Sequence, residues 1–77
     1  MYRNTTFGQA LRELRLAQGW TQEHLASEFE VTQASVSNWE REKYLPSGRE
    51  LGRLCRYDRR LLHAYAYSSD MMRGNDG

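Results

Sequence analysis

Residues 21–40, TQEHLASEFEVTQASVSNWE, constrain this chain more than any other stretch. Two short amphipathic runs lie in it, each opened by a hydroxyl residue: Thr21 ahead of Leu25, Ala26 and Phe29, and Thr32 ahead of Val36 and Trp39. A hydroxyl in that place accepts a hydrogen bond from a first-turn amide that has no partner within the helix, so each run is predicted to be a capped helix. Only Glu30 to Thr32 lie between them, and so short a connection makes the two helices cross steeply. A close crossing requires a small residue on the first helix, which Ala26 supplies, while Val31 after the turn is placed to fill the gap. Val36 and Trp39 direct one side of the second helix toward a core. Its other side, Gln33, Ala34, Ser35, Ser37 and Asn38, carries no large apolar group. Such a face packs poorly and suits hydrogen bonding to base edges in a DNA major groove.

Further pieces stand in a specific order around this pair: FGQALRELRLAQGW from Phe7, TQEHLA from Thr21, VTQASVSNWE from Val31, and Pro46 beyond the second run. With them the chain resembles the phage repressor and Cro-type (XRE) helix-turn-helix regulators from about Phe7 to about Leu62. The resemblance implies an all-α, five-helix, lambda-repressor-like domain with the helix-turn-helix at its second and third helices. It also implies an ion pair between Arg15, near the inner edge of helix 1, and Glu40 at the end of helix 3. Two positions depart from the family's pattern, because Glu30 and Glu42 stand where its members usually carry glycine. Glutamate in a left-handed turn costs about 1 kcal/mol relative to glycine, so a slightly remodelled turn is expected.

Seventy-seven residues make one small domain with a single core. Cys55 is the lone cysteine, which rules out an internal disulfide or a thiolate metal cluster and fits a reducing cytoplasm, that of a bacterium or a phage host on the family resemblance. No apolar run is long enough for a membrane span or a signal peptide. Net charge is only +1, but it is unevenly placed. Residues 1–38 hold three cations against four acids, whereas residues 39–60 hold seven against four, so the positive side begins where the second run ends. His24 and His63 are distant in sequence, no glycine-rich phosphate loop occurs, and no metal-ligand spacing is visible. The expectation is therefore a non-enzyme without cofactor, metal or small-molecule ligand.

Along the chain, residues 1–5 are expected to be flexible, and Thr6 with Gln9 forms a capping box for a first helix. Phe7, Ala10, Leu11, Leu14 and Ala17 make its buried stripe, Gly19 ends it, and Trp20 packs between helices. Past Trp39 the loop EREKYLP carries Tyr44 and an anchoring Leu45, with Pro46 barring extension of helix 3. Ser47 and Glu50 form a second capping box for a helix burying Leu51, Leu54 and Cys55. Asp58 caps a fifth helix with Leu61, Leu62, Tyr65 and Ala66 as its apolar positions. Helices are thus predicted near 6–18, 21–29, 32–40, 47–56 and 58–66, in a domain spanning 6–67, with the polar residues 68–77 a disordered tail. The AYAY alternation leaves a β-ribbon over 57–67 as the other reading.

In function the expectation is a sequence-specific regulator of transcription, a repressor, bound to double-stranded DNA. Gln33 would pair with adenine and Ala34 would meet a thymine methyl, with Ser35 and Asn38 as further base contacts. Gln22, Thr32, Ser37, Arg41, Lys43 and Tyr44 would meet phosphates. One recognition helix reads only about four to six base pairs, too few against a genome's competing sites, so a homodimer on a near-palindromic operator is expected. Its seam would be Leu62, Tyr65 and Tyr67 together with the loop around Tyr44, and its association in free solution weak. The other reading is an antitoxin-like protein-interaction module, whose exposed helix would show aromatics or leucines where this one has small polar groups.

Overall fold

A computed structural model of the protein describes residues 5–74. Five helices follow one another: α1 (Phe7–Ala17), α2 (Gln22–Glu28), α3 (Gln33–Glu40), α4 (Gly48–Tyr57) and α5 (Arg60–Gly74), with no strand among the described residues. The fold is all-α and lambda-repressor-like, as the resemblance implies. Residues 60–67 lie within α5, so the β-ribbon does not form. Residues 1–4 and 75–77, where flexible ends are expected, lie outside the described residues.

Each predicted cap forms. Thr6 Oγ1 accepts from Gln9 N at 3.3 Å while Gln9 Oε1 accepts from Thr6 N at 3.1 Å, closing the first capping box. Thr21 Oγ1 accepts from His24 N and Thr32 Oγ1 from Ser35 N, both at 3.0 Å. Before α4, Glu50 Oε1 accepts from the Ser47 amide and hydroxyl at 3.1 and 3.0 Å. Asp58 Oδ1 accepts from Arg60 N at 3.0 Å at the head of α5.

The first three helices end alike. In each, a residue in the left-handed region turns the chain, and the next amide reaches back five residues: Trp20 N to Arg15 O at 3.0 Å, Val31 N to Ala26 O at 2.9 Å, and Lys43 N to Asn38 O at 2.9 Å. The turning residues are Gly19 (φ 75°), Glu30 (φ 57°) and Glu42 (φ 63°). The two glutamates therefore adopt the glycine geometry without remodelling it. Local contacts offset their strain: Glu42 Oε2 accepts from Thr6 Oγ1 at 2.8 Å, and the Arg53 guanidinium lies 3.6 Å from the Glu30 carboxylate while donating to Phe29 O at 3.0 Å. Helix α3 stops at this turn, five residues short of the buried Pro46, so the turn and not the proline ends it.

Helix α1 is central, packed against α3 and α5, with α2 against α3 and α4 against α5. The core comprises Phe7, Leu11, Leu14, Leu25, Ala26, Phe29, Val36, Trp39, Leu54 and Leu61, flanked by half-buried Trp20, Val31, Leu45, Leu51 and Cys55. Burial pushes the Cys55 thiol up, with Asp58 adding to it, which keeps the sulfur in its protonated, packing form. Gly8 allows α1 to meet the end of α3: a Cβ there would stand 2.7 Å from Trp39 O and 2.8 Å from Glu40 O.

The C-terminal segment departs from expectation. Residues 68–74, read from composition as disordered, continue α5. Ser68 is buried because its Oγ accepts from Phe7 N at 2.8 Å, and this hydrogen bond satisfies an amide at the head of α1. The inner face of α5 is Leu61, Ala64 and Ser68, with Tyr65 packed edge-on to Phe7 at a centroid distance of 6.2 Å. Leu62 and Ala66, assigned to the apolar side from sequence, are exposed instead. The inward positions sit three, four and seven residues after Leu61, where the sequence offers an alanine, a tyrosine and a serine.

Candidate nucleic-acid interface

Helices α2 and α3 pack directly on each other across the turn at Glu30. Leu25 and Ala26 face inward from α2, and Val36 and Trp39 from α3; all four are buried. Everything else on α3 is polar or small. Gln33 and Ala34, at its first turn, are exposed, while Ser35, Ser37 and Asn38 are half-buried. A helix with two inward anchors and an otherwise open polar side projects donors and acceptors outward at a fixed pitch. Its inner side packs on both α1 and α2.

Behind this surface lies an ion pair. Arg15 Nε and Nη2 donate to Glu40 Oε2 and Oε1 at 2.7 and 3.1 Å, a two-pronged contact between side chains only 12% and 5% exposed. The third guanidinium nitrogen, Nη1, donates to Trp20 O at 3.0 Å, so Arg15 joins the α1–α2 connection to the end of α3. The hydrogen bonds to Glu40 hold the Arg15 pKa above its ordinary value despite burial. Glu40 Oε1 also accepts from Gln22 Nε2 at 3.1 Å. Gln22, read from sequence as a phosphate donor at the start of α2, is thereby oriented by the last residue of α3. It keeps one N–H and its carbonyl oxygen for another partner.

A family model for the helix-turn-helix, of the Cro/C1 (XRE) type, matches residues 11–60. The chain belongs to this helix-turn-helix family. No curated protein and no solved structure shows a significant match to it. The matched span runs from α1 to the first residue of α5 and contains the whole α2–turn–α3 unit, so this helix-turn-helix protein is of the DNA-binding class.

The other residues singled out from sequence fall into three groups. Thr32 is engaged in capping, its Oγ1 also donating to Ser35 Oγ at 3.0 Å, so both hydroxyls are held within the first turn of α3. Arg41, Lys43 and Tyr44 stand exposed on the loop after α3, adjoining its far end. The suggested seam residues do not share one surface. Leu62 is 53% exposed, Tyr65 is half-buried against Phe7, and Tyr67 lies about 140° around the helix from Leu62 at 100° per residue.

Two sets of contacts at this interface escaped the sequence reading. Asn38 Nδ2 donates to Tyr44 Oη at 3.0 Å, and Arg41 Nη2 donates to Asn38 Oδ1 at 3.2 Å. Residues six apart are not neighbours on a helix, and only the left-handed turn at Glu42 brings Tyr44 back over Asn38. A second is the link from Gln22 to Glu40, eighteen residues apart, which no local periodicity signals.

Proposed function

We propose that this helix-turn-helix protein is a sequence-specific regulator of transcription, a repressor, that inserts α3 into the major groove of double-stranded DNA. The observation that carries the reading is the division of α3: its two large apolar side chains are buried and its exposed first turn offers Gln33 and Ala34. Gln33 is assigned a bidentate contact to adenine, Ala34 a thymine methyl, and Ser35 and Asn38 flanking contacts. Gln22, held by Glu40, and the exposed Arg41, Lys43 and Tyr44 take phosphates on either side, with the capped start of α3 at Thr32 and with Ser37 beside them. The absence of an exposed aromatic or leucine on α3 argues against a protein-interaction role for that helix.

A homodimer on a near-palindromic operator completes the proposal, since one such helix reads too few base pairs alone. Exposed Leu62 on α5 supports a seam there, narrowed to Leu62 and the open edge of Tyr65. So small an apolar contact gives weak association that DNA tightens by holding each protomer beside the other. Selection of bound duplexes from random-sequence DNA by gel shift tests the reading. A recovered consensus with two-fold symmetric half-sites is expected, and recovery of no sequence preference at low salt would favour the interaction-module reading.

A further inference from the structure

One chain of side-chain hydrogen bonds ties the end of α3 to the loop behind it. Arg41 Nη2 donates to Asn38 Oδ1, and Asn38 Nδ2 donates to Tyr44 Oη. Its direction is fixed by chemistry. A guanidinium has donors and no acceptor, so the amide oxygen must face Arg41; the NH2 group then faces Tyr44, whose oxygen accepts. The backbone holds the same arrangement, because Glu42 turns the chain at φ 63° and Lys43 N donates to Asn38 O at 2.9 Å. Each bond in such a chain polarises the next.

An isolated asparagine amide presents donor and acceptor in either order, since rotation by half a turn exchanges them. Asn38 has no such freedom. Bound on one side to a permanent donor and on the other to a hydroxyl oxygen, it keeps one N–H and one oxygen lone pair uncommitted, in a single sense. An adjacent donor and acceptor of fixed order is what distinguishes the N6 and N7 edge of adenine from other bases. We propose that Tyr44 is a specificity-determining positioning residue: Arg41 fixes which end of the Asn38 amide is the acceptor, and Tyr44 holds that amide in place for the base edge at the far end of α3, although its hydroxyl meets no base itself. This deepens the DNA-reading function proposed above and rests on it.

The test compares wild type, Tyr44→Phe, Asn38→Ala and the double variant by selection from random-sequence duplexes and by titration of single-base-pair variants of the wild-type consensus. Tyr44 is 45% exposed, so loss of its hydroxyl leaves the core intact, and superimposable melting curves verify this. Asn38→Ala identifies the base pair whose preference depends on that side chain. Tyr44→Phe is expected to lower discrimination at the same pair by about fivefold or more, leaving the Gln33-dependent pair unchanged. The double variant should discriminate within about twofold of Asn38→Ala. In the free protein, the Asn38 side-chain amide should be ordered by its NMR heteronuclear NOE and become mobile in Tyr44→Phe. If Tyr44→Phe weakens every sequence equally and keeps wild-type discrimination at each pair, Tyr44 is a phosphate contact only and the proposal falls. It falls also if Asn38→Ala alters no pair. A wild-type protein that selects no sequence overturns the DNA reading as well, and that result is distinguishable because it shows before any variant is made.

Discussion

At the scale of single residues, the Arg15 and Glu40 pair is the contact whose loss costs most. Both side chains are largely buried, and Glu40 also takes Gln22, so removing either charge strands the other away from water. Arg15→Ala and Glu40→Ala are each expected to lower unfolding stability by about 3 kcal/mol in chemical denaturation. A loss below about 1 kcal/mol would place the pair with exposed bridges. Asp58 offers a pH-dependent counterpart. The side-chain hydrogen bond from Arg60 holds its carboxyl below the usual carboxylate range, against the opposing effect of burial. A group whose pKa is depressed by folding stabilises above its unfolded value and loses that contribution as pH falls through the folded one. Stability should therefore decline below about pH 4, and Asp58→Asn should flatten that part of the acid limb. The contribution is expected to stay under about 1 kcal/mol, since the Arg60 side chain is exposed.

At the scale of the helices and their junctions, the left-handed glutamates separate strain from compensation. Glu30→Gly removes the strain and only a long, exposed contact to Arg53, so a gain of about 0.5–1 kcal/mol is expected. Glu42→Gly removes the same strain and also the 2.8 Å hydrogen bond from Thr6, worth about 1 kcal/mol, so its net effect should lie near zero. Thermal melts of the two variants check the contrast. The positions of α1 to α4 were legible in the sequence because their signals are local: a hydroxyl at each start, apolar residues at helical spacing, and Gly19 at one end. The ends at Glu30 and Glu42 were legible only through the family resemblance, since glutamate carries no left-handed preference. Helix α5 was misread past Tyr67 because what fixes it is not local. Ser68 is buried by a hydrogen bond to Phe7, sixty-one residues away, and a serine on an inner face leaves no hydrophobic pattern. The polar face of α3 could be recognised from its composition, whereas the Asn38–Tyr44 and Gln22–Glu40 links depend on how the turns fold back.

At the scale of the whole molecule, the core is formed around α1, and α3 is left with one open side. The exposed Leu62 on α5 gives little apolar area for self-association, so sedimentation at micromolar concentration is expected to show monomer or a monomer–dimer mixture. The DNA complex should contain two protomers with half-sites about 34 Å apart. A 1:1 complex on an operator without two-fold symmetry would exclude the dimer. The central claim, that α3 reads sequence through its first turn, is tested most directly by titrating wild type, Gln33→Ala, Arg41→Ala and Lys43→Ala against the selected operator and a scrambled duplex over a range of salt. Gln33→Ala should lose about 1–3 kcal/mol on the operator and little on scrambled DNA, while Lys43→Ala weakens both duplexes alike and each of the two cationic variants reduces the salt slope by about one. Equal losses for Gln33→Ala on both duplexes would contradict the claim.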